Sequence, residues 1–285
     1  KVAQVVAEEF QIDINRVKVT ATNTGKVPNT SPTAASSGTD LNGMAALDAC
    51  QKIKAKMVAF AATKWGVKES DVEFLPNTVR VGEERIAFPE FVQMAYQARV
   101  SLSSSGFYAT PDIHWDSAKA KGQPFFYFSY GAAVTESVID TLTGENRILR
   151  VDVLHDVGKS LNPAIDLGQI EGGYVQGAGW LTMEELVYDA KGQLTTHAPS
   201  TYKIPACSDR PPDMRVNLWA SEGNPAKTVY RSKAVGEPPL MLGISALFAL
   251  SDAISAAGDY RTDPLLDAPA TPERVLMAVE RLRKS

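Results

Sequence analysis

Twelve consecutive residues, 168–179, hold five glycines: Gly168, Gly172, Gly173, Gly177 and Gly179. Glycine in a helix interior costs about 1 kcal/mol relative to alanine. A helix read over residues 169–181 therefore needs something close against its backbone, either a neighbouring element or a ligand. Gln169, at its opening, offers an amide that can bond a polar ligand with both ends. The sequence leaves both readings open.

The rest of the chain must supply the neighbours. Among its 285 residues, 44% are hydrophobic, enough for a sizeable core, and the formal net charge is −4. That balance excludes a basic nucleic-acid footprint and an acidic tail as the main theme. The most apolar stretch, 240–250, is shorter than the roughly 20 residues that span a bilayer, so no membrane span is expected. Cys50 and Cys207 form no metal-type pattern and read as two buried thiols in a reducing cytoplasm. No signal or transit peptide opens the chain. Val2, Val5, Val6 and Phe10 recur at helical spacing with no cap before them. The chain is expected to be cut from something longer.

Periodicity and punctuation predict the elements. Residues 17–21 alternate as a strand, and 22–39 have loop chemistry. A helix over 41–65 follows, capped by Thr39 or Asp40 and stopped by Gly66. Short strands are expected at 73–75, 78–81 and 85–88, then a helix to about 99. Residues 112–124 read as a loop between two halves, which sets domains at 1–124 and 125–285. In the second half, 125–141 and 147–155 form a hairpin about the turn 142–145. A loop over 156–168 leads to the glycine-laden helix. Strands near 184–188 and 214–219 and a helix over 240–257 come next. A last helix begins at Thr271-Pro272-Glu273. Strict βαβ alternation is missing, so the fold class is α+β, with mixed sheets and packed helices.

Several chemistries lack their signatures. There is no P-loop, no dinucleotide fingerprint, no nucleophile elbow and no zinc-protease helix. His114, His155 and His197 lack ligand spacing, and no metal site carried by this chain's own side chains is expected.

Two further segments could carry chemistry. Residues 27–40 mix prolines with small side chains and run directly into a helix, the ingredients of an anion cradle at a helix N-terminus. An ordinary capped solvent loop has the same composition. In Lys233-Ala234-Val235-Gly236-Glu237-Pro238-Pro239-Leu240, Gly236 frees the backbone to turn and two prolines forbid helical bonding until Leu240. Glu237 is thus held on a rigid bend before an apolar helix, suited to a general base or to complementing the helix dipole.

Taken in order and spacing, these three segments resemble the xanthine dehydrogenase branch of the molybdenum hydroxylases. The resemblance extends to Asp40-Leu41-Asn42-Gly43, Gly106-Phe107-Tyr108, Ser129-Tyr130-Gly131, residues 160–166 and residues 199–205, nearly the whole chain. It implies the C-terminal half of the molybdopterin-binding region of a large subunit, with two subdomains of that type. It implies a molybdenum–molybdopterin cofactor whose metal is held by the pterin and not by the protein. Glu237 falls on the family's base, acting on the Mo–OH, with Gly236 beside the metal pocket. Thr33, Ala34, Ala35 and Ser36 fall on the cofactor loop, with Gly38 just beyond, and Gln169 on the glutamine near the metal. The implied reaction hydroxylates hypoxanthine and xanthine to uric acid; aldehyde or other N-heterocycle hydroxylation, or a non-catalytic assembly module, are the alternatives. FAD and 2Fe-2S clusters are implied on another domain or subunit, in a cytoplasmic oligomer. The family's substrate-orienting residues fall before residue 1, so this chain alone is expected to bind no cofactor and turn nothing over.

Overall fold

A computed structural model describes residues 1–26 and 34–284. Thr33 and the first part of the predicted cradle lie outside the described residues. The chain divides into two compact units, residues 1–128 with 224–232, and residues 129–223 with 233–285.

In the first unit, helix α1 (Val2–Phe10) is stopped by Gln11 in the left-handed conformation. Helix α2 (Gly43–Trp65) ends at Gly66, φ 65°, where a side chain would be strained. Strands β1 (Val72–Leu75), β2 (Thr78–Val81) and β3 (Glu84–Ala87) form an antiparallel meander. Helix α3 (Phe88–Gln97) starts with Pro89 in its first turn. Phe10, Met57, Phe74, Val79 and Phe91 close one core, and the rings of Phe74 and Phe91 meet edge-on at 6.2 Å.

Two expectations fail in this unit. Residues 17–21 alternate in sequence but form no strand, and Val19 is 72% exposed; alternation makes a strand only where a neighbour completes the hydrogen-bond ladder. Residues 112–124 are not all loop. They contain a small hairpin of β4 (His114–Asp116) and β5 (Lys121–Gln123), paired through backbone that its polar, exposed side chains do not advertise.

The second unit is built on a three-stranded sheet. Strands β6 (Gly131–Ile139) and β7 (Asn146–His155) form an antiparallel hairpin with an irregularity between Glu136 and Ser137. The chain crosses over through helix α4 (Pro163–Thr182) to strand β8 (Asp213–Leu218), parallel to β7. A parallel pair requires such a crossover. Val151, Val153, Ile170 and Tyr174 fill the space between sheet and helix. Helix α5 (Ile244–Ala257) buries Leu250 and Ile254 against Val275, Ala278 and Val279 of helix α6 (Pro272–Lys284). The architecture is α+β.

Here too the sequence reading needs correction. The strand begins at Gly131, so the aromatic run before it is not strand. Helix α4 starts six residues before Gln169, because Asn162 accepts the Ile165 N–H as an N-cap and Pro163 fits the first turn. Residues 184–188 contribute only an isolated bridge, Tyr188 to Leu194. Cys50 is buried, but Cys207 is exposed. The apolar run also extends further than expected: residues 238–257 are continuously helical, long and apolar enough by length and composition to cross a membrane. Its Ala246, Leu250 and Ile254 are nevertheless fully buried in the protein core.

Candidate cofactor and catalytic site

The described part of the cradle opens on Ala34 and Ala35, both exposed. Ala35 and Ser36 adopt left-handed backbone, φ 55° and 50°, unusual for residues other than glycine. The Ser37 hydroxyl donates to the Ala34 carbonyl at 2.8 Å and closes the turn. A wide helical turn, Gly38–Asn42, then leads into α2. Small side chains and the positive end of a 23-residue helix come together here.

Asp40 does not cap that helix through its side chain, contrary to expectation. It accepts a hydrogen bond from the Tyr127 hydroxyl on one carboxylate oxygen. The other, Oδ1, is buried and takes no hydrogen bond. Burial pushes the Asp40 carboxyl above the ordinary aspartate value, against the pull of the Tyr127 bond and the Lys1 charge. The Tyr108 phenol is likewise raised, by burial first and the Asp40 charge second. Neither tyrosine is marked by local sequence as a partner of Asp40; Tyr127 lies 87 residues away.

The second group of candidates lies in the other unit. Glu237 opens a 3-10 turn, Pro238–Gly243, and its carbonyl accepts the Leu240 N–H at 2.9 Å. The prolines act as the sequence requires. Glu237 itself is exposed and Gly236 half-buried. The turn is seated against α4 with almost nothing between the backbones. A methyl at Gly173 would stand 2.9 Å from Pro239 Cβ, one at Gly177 2.1 Å from the Leu240 carbonyl oxygen, and one at Gly243 2.5 Å from the Ala178 nitrogen. Gly179 is closed by Pro205 at 2.2 Å, whereas Gly168 and Gly172 face open space. The glycines of the central and later turns are therefore packing residues.

The seam has a direction. Helix α4 and the turn run in the same direction, Gly173 beside Pro239 and Gly177 beside Leu240 and Gly243. Gln169 lies one helical turn before Gly173 on the same stripe. Gln169 and Glu237 are both exposed and Gly236 is half-buried.

A cavity of about 1050 Å³ in this unit is lined by Arg147, Tyr174, Lys203 and Arg210 among others, and includes none of those three. His155 is buried, its Nδ1 3.1 Å from the Asp156 carbonyl, and burial lowers its pKa. No three His, Cys, Asp or Glu side chains are grouped to hold a metal ion among the described residues. The small side chains of Ala34, Ala35 and Ser36 before the start of α2 suit an anionic organic group.

Comparison with known proteins agrees with that chemistry. Residues 1–211 match the molybdopterin cofactor-binding domain, a range that includes the cradle and Gln169 but stops before Glu237. Xanthine dehydrogenase of Oryza sativa subsp. japonica is 46% identical over 289 residues, covering 98% of this chain and 20% of that protein. Xanthine dehydrogenase/oxidase of Mus musculus is 45% identical over 281 residues, covering 96% and 20%. The chain thus spans about one fifth of the length of these relatives. Among solved structures, the carbon monoxide reduced Cu,Mo-CO dehydrogenase superposes with a TM-score of 0.80 at 24% identity, over 99% of this chain and 34% of its own. That likeness speaks for the fold. With three quarters of its length matched by one domain model, the chain belongs to the molybdopterin cofactor-binding domain family.

Proposed function

We propose that this chain supplies part of the active site of a molybdenum hydroxylase acting on purines, with hypoxanthine and xanthine as substrates. The observation that carries this reading is the bend at Gly236–Glu237, held by two prolines and by the packing of the following turn on the glycines of α4. Identity of 46% to a xanthine dehydrogenase supports the choice of substrate.

The residues present fit an anionic pterin-type group. Ala34, Ala35, Ser36 and Gly38, with Thr33 before them, would offer main-chain N–H groups to its negative end at the start of α2. The small side chains of Ala34 and Ala35 allow close approach. Gln169 would orient the group through its amide. When bound, the molybdenum cofactor supplies the two-electron redox chemistry. Glu237 would accept a proton onto its carboxylate, as a general base. Gly236 leaves room beside it.

Closing the site over the exposed Glu237 carboxylate would exclude water and strengthen its interactions with the reacting groups. We assign that closure to the remainder of a larger polypeptide, with FAD and 2Fe-2S groups on a further domain or subunit. The complete enzyme is a cytoplasmic oligomer in this reading. The chain by itself should hold no stoichiometric molybdenum and show no turnover. Steady-state rates of the complete enzyme with hypoxanthine, xanthine and aldehydes test the substrate class. Preference for aldehydes overturns the purine assignment, and stoichiometric molybdenum in the isolated chain overturns the partial site.

A further inference from the structure

Lys233, four residues before Glu237, is 5% exposed and forms an ion pair with Asp156, which is 13% exposed. Burying two charges is costly, and such a pair is weak evidence for stability by itself. The surroundings show what else it does. Its backbone N–H donates to the Val157 carbonyl at 2.8 Å. The ammonium sits over the Tyr130 ring, 5.2 Å from the centroid. Tyr130 in turn accepts the Asp156 N–H at 2.8 Å through its carbonyl. The Asp156 carboxylate also accepts the Gly158 N–H at 2.8 Å, and the Ser129 hydroxyl donates to the Ala234 carbonyl at 3.4 Å.

Three stretches far apart in sequence, residues 129–131, 155–158 and 233–235, are thereby tied at one point. Val235, 4% exposed, continues the anchor into the core. Between this knot and the glycine seam at Pro239 lie only Gly236, Glu237 and Pro238. An apolar anchor at 233 could shift to suit neighbouring side chains. A charged group with a directional partner and a ring face holds one position.

We propose that Lys233 is a positioning residue, which through Asp156 and Tyr130 fixes the point from which the Glu237 carboxylate is presented. The proposal rests on the reading of Glu237 as base, and goes beyond it by assigning the upstream anchor.

The test uses the complete enzyme carrying this chain, with Lys233→Met, Asp156→Asn and the double substitution. Hydrogen exchange is followed by mass spectrometry for residues 233–240 and 272–284, alongside kcat, KM and molybdenum content. We expect Lys233→Met to speed exchange over 233–240 at least tenfold and to leave 272–284 unchanged. It should lower kcat at least tenfold, with KM within threefold and molybdenum content intact. The double substitution should be no worse than Lys233→Met, since the two groups act as a unit. Unchanged exchange over 233–240 overturns the anchor whatever the activity. Equal acceleration over 272–284 overturns it in favour of general destabilisation. Full kcat with a loosened 233–240 overturns the positioning role. Should Lys233→Met fail to fold, Asp156→Asn, which keeps the shape and removes one charge, makes the same comparison. Activity retained in Glu237→Gln would refute the base and leave the exchange result standing as the measure of the anchor.

Discussion

Each unit contains a junction where loop becomes helix, and the two are built by opposite means. At residues 34–43 the turn is made by left-handed Ala35 and Ser36, and the nearby acid, Asp40, is drawn inward onto Tyr127. At residues 233–243 the turn is made by prolines, a lysine is drawn inward, and the acid, Glu237, is left exposed. Under the proposed function, the contrast follows from what each junction is to meet. An anion at the start of α2 is repelled less when the adjacent carboxyl is buried and its neutral form favoured. The Glu237 carboxylate is left uncovered in this chain, to be closed over in the proposed complete enzyme, while the chain behind it is fixed.

The comparison can be broken most directly at Glu237. In the complete enzyme, Glu237→Gln should lower kcat by 10²- to 10⁴-fold, on the order of a lost general base, with molybdenum content unchanged. Equal activity would leave the two junctions without the asymmetry claimed for them.

Next comes the seam under the second junction. Gly177→Ala drives a methyl into the Leu240 carbonyl and should cost about 1–3 kcal/mol, lowering Tm by several degrees. Gly172→Ala, into open space on the same helix, should instead gain about 1 kcal/mol. Similar thermal shifts for both would show that the seam is not what demands glycine.

At the first junction the effects are smaller. Replacing Ala35 by glycine relieves a left-handed alanine, and should raise stability by about 1 kcal/mol. Thermal unfolding that moves downward would argue that Ala35 is held without strain.

Asp40 has the smallest expected effect, and it depends on pH. Its folded pKa is raised, so the folded state holds the proton more tightly than the unfolded chain. This contributes stability below the ordinary value of 3.8 that is lost as pH rises through the folded pKa. Asp40→Asn should therefore flatten the fall in Tm above that value, without the gain on acidification that the aspartate shows. Parallel Tm profiles for the two proteins would remove the buried acid from the comparison.

Local chemistry made much of this legible. Gly66 as a stop, Pro89 in a first turn and the Glu237 bend are each encoded within a few residues. So was the α2 face carrying Met57 and Ala61. What escaped depends on distant partners or on an overlooked cap. Residues 17–21 alternate, yet nothing supplies the second strand. Asn162-Pro163 marks the true start of α4, a cap that stands apart from the glycine-rich stretch. The pairing of Lys233 with Asp156 spans 77 residues, and no periodicity connects them. The cofactor residues were approached through resemblance, because small residues in a loop carry no signal of what they touch.

The seam between α4 and residues 238–243 has a bearing on how such a chain can drift. Where backbone lies directly on backbone there are no rotamers to exchange, and a neighbour's mutation cannot compensate. Positions 173, 177 and 243 should read as blanks in a saturation mutagenesis survey, while 168 and 172 accept a range of substitutions. Substitution near the carboxylate is then confined to the rim, above a line of backbone that accepts no larger side chain.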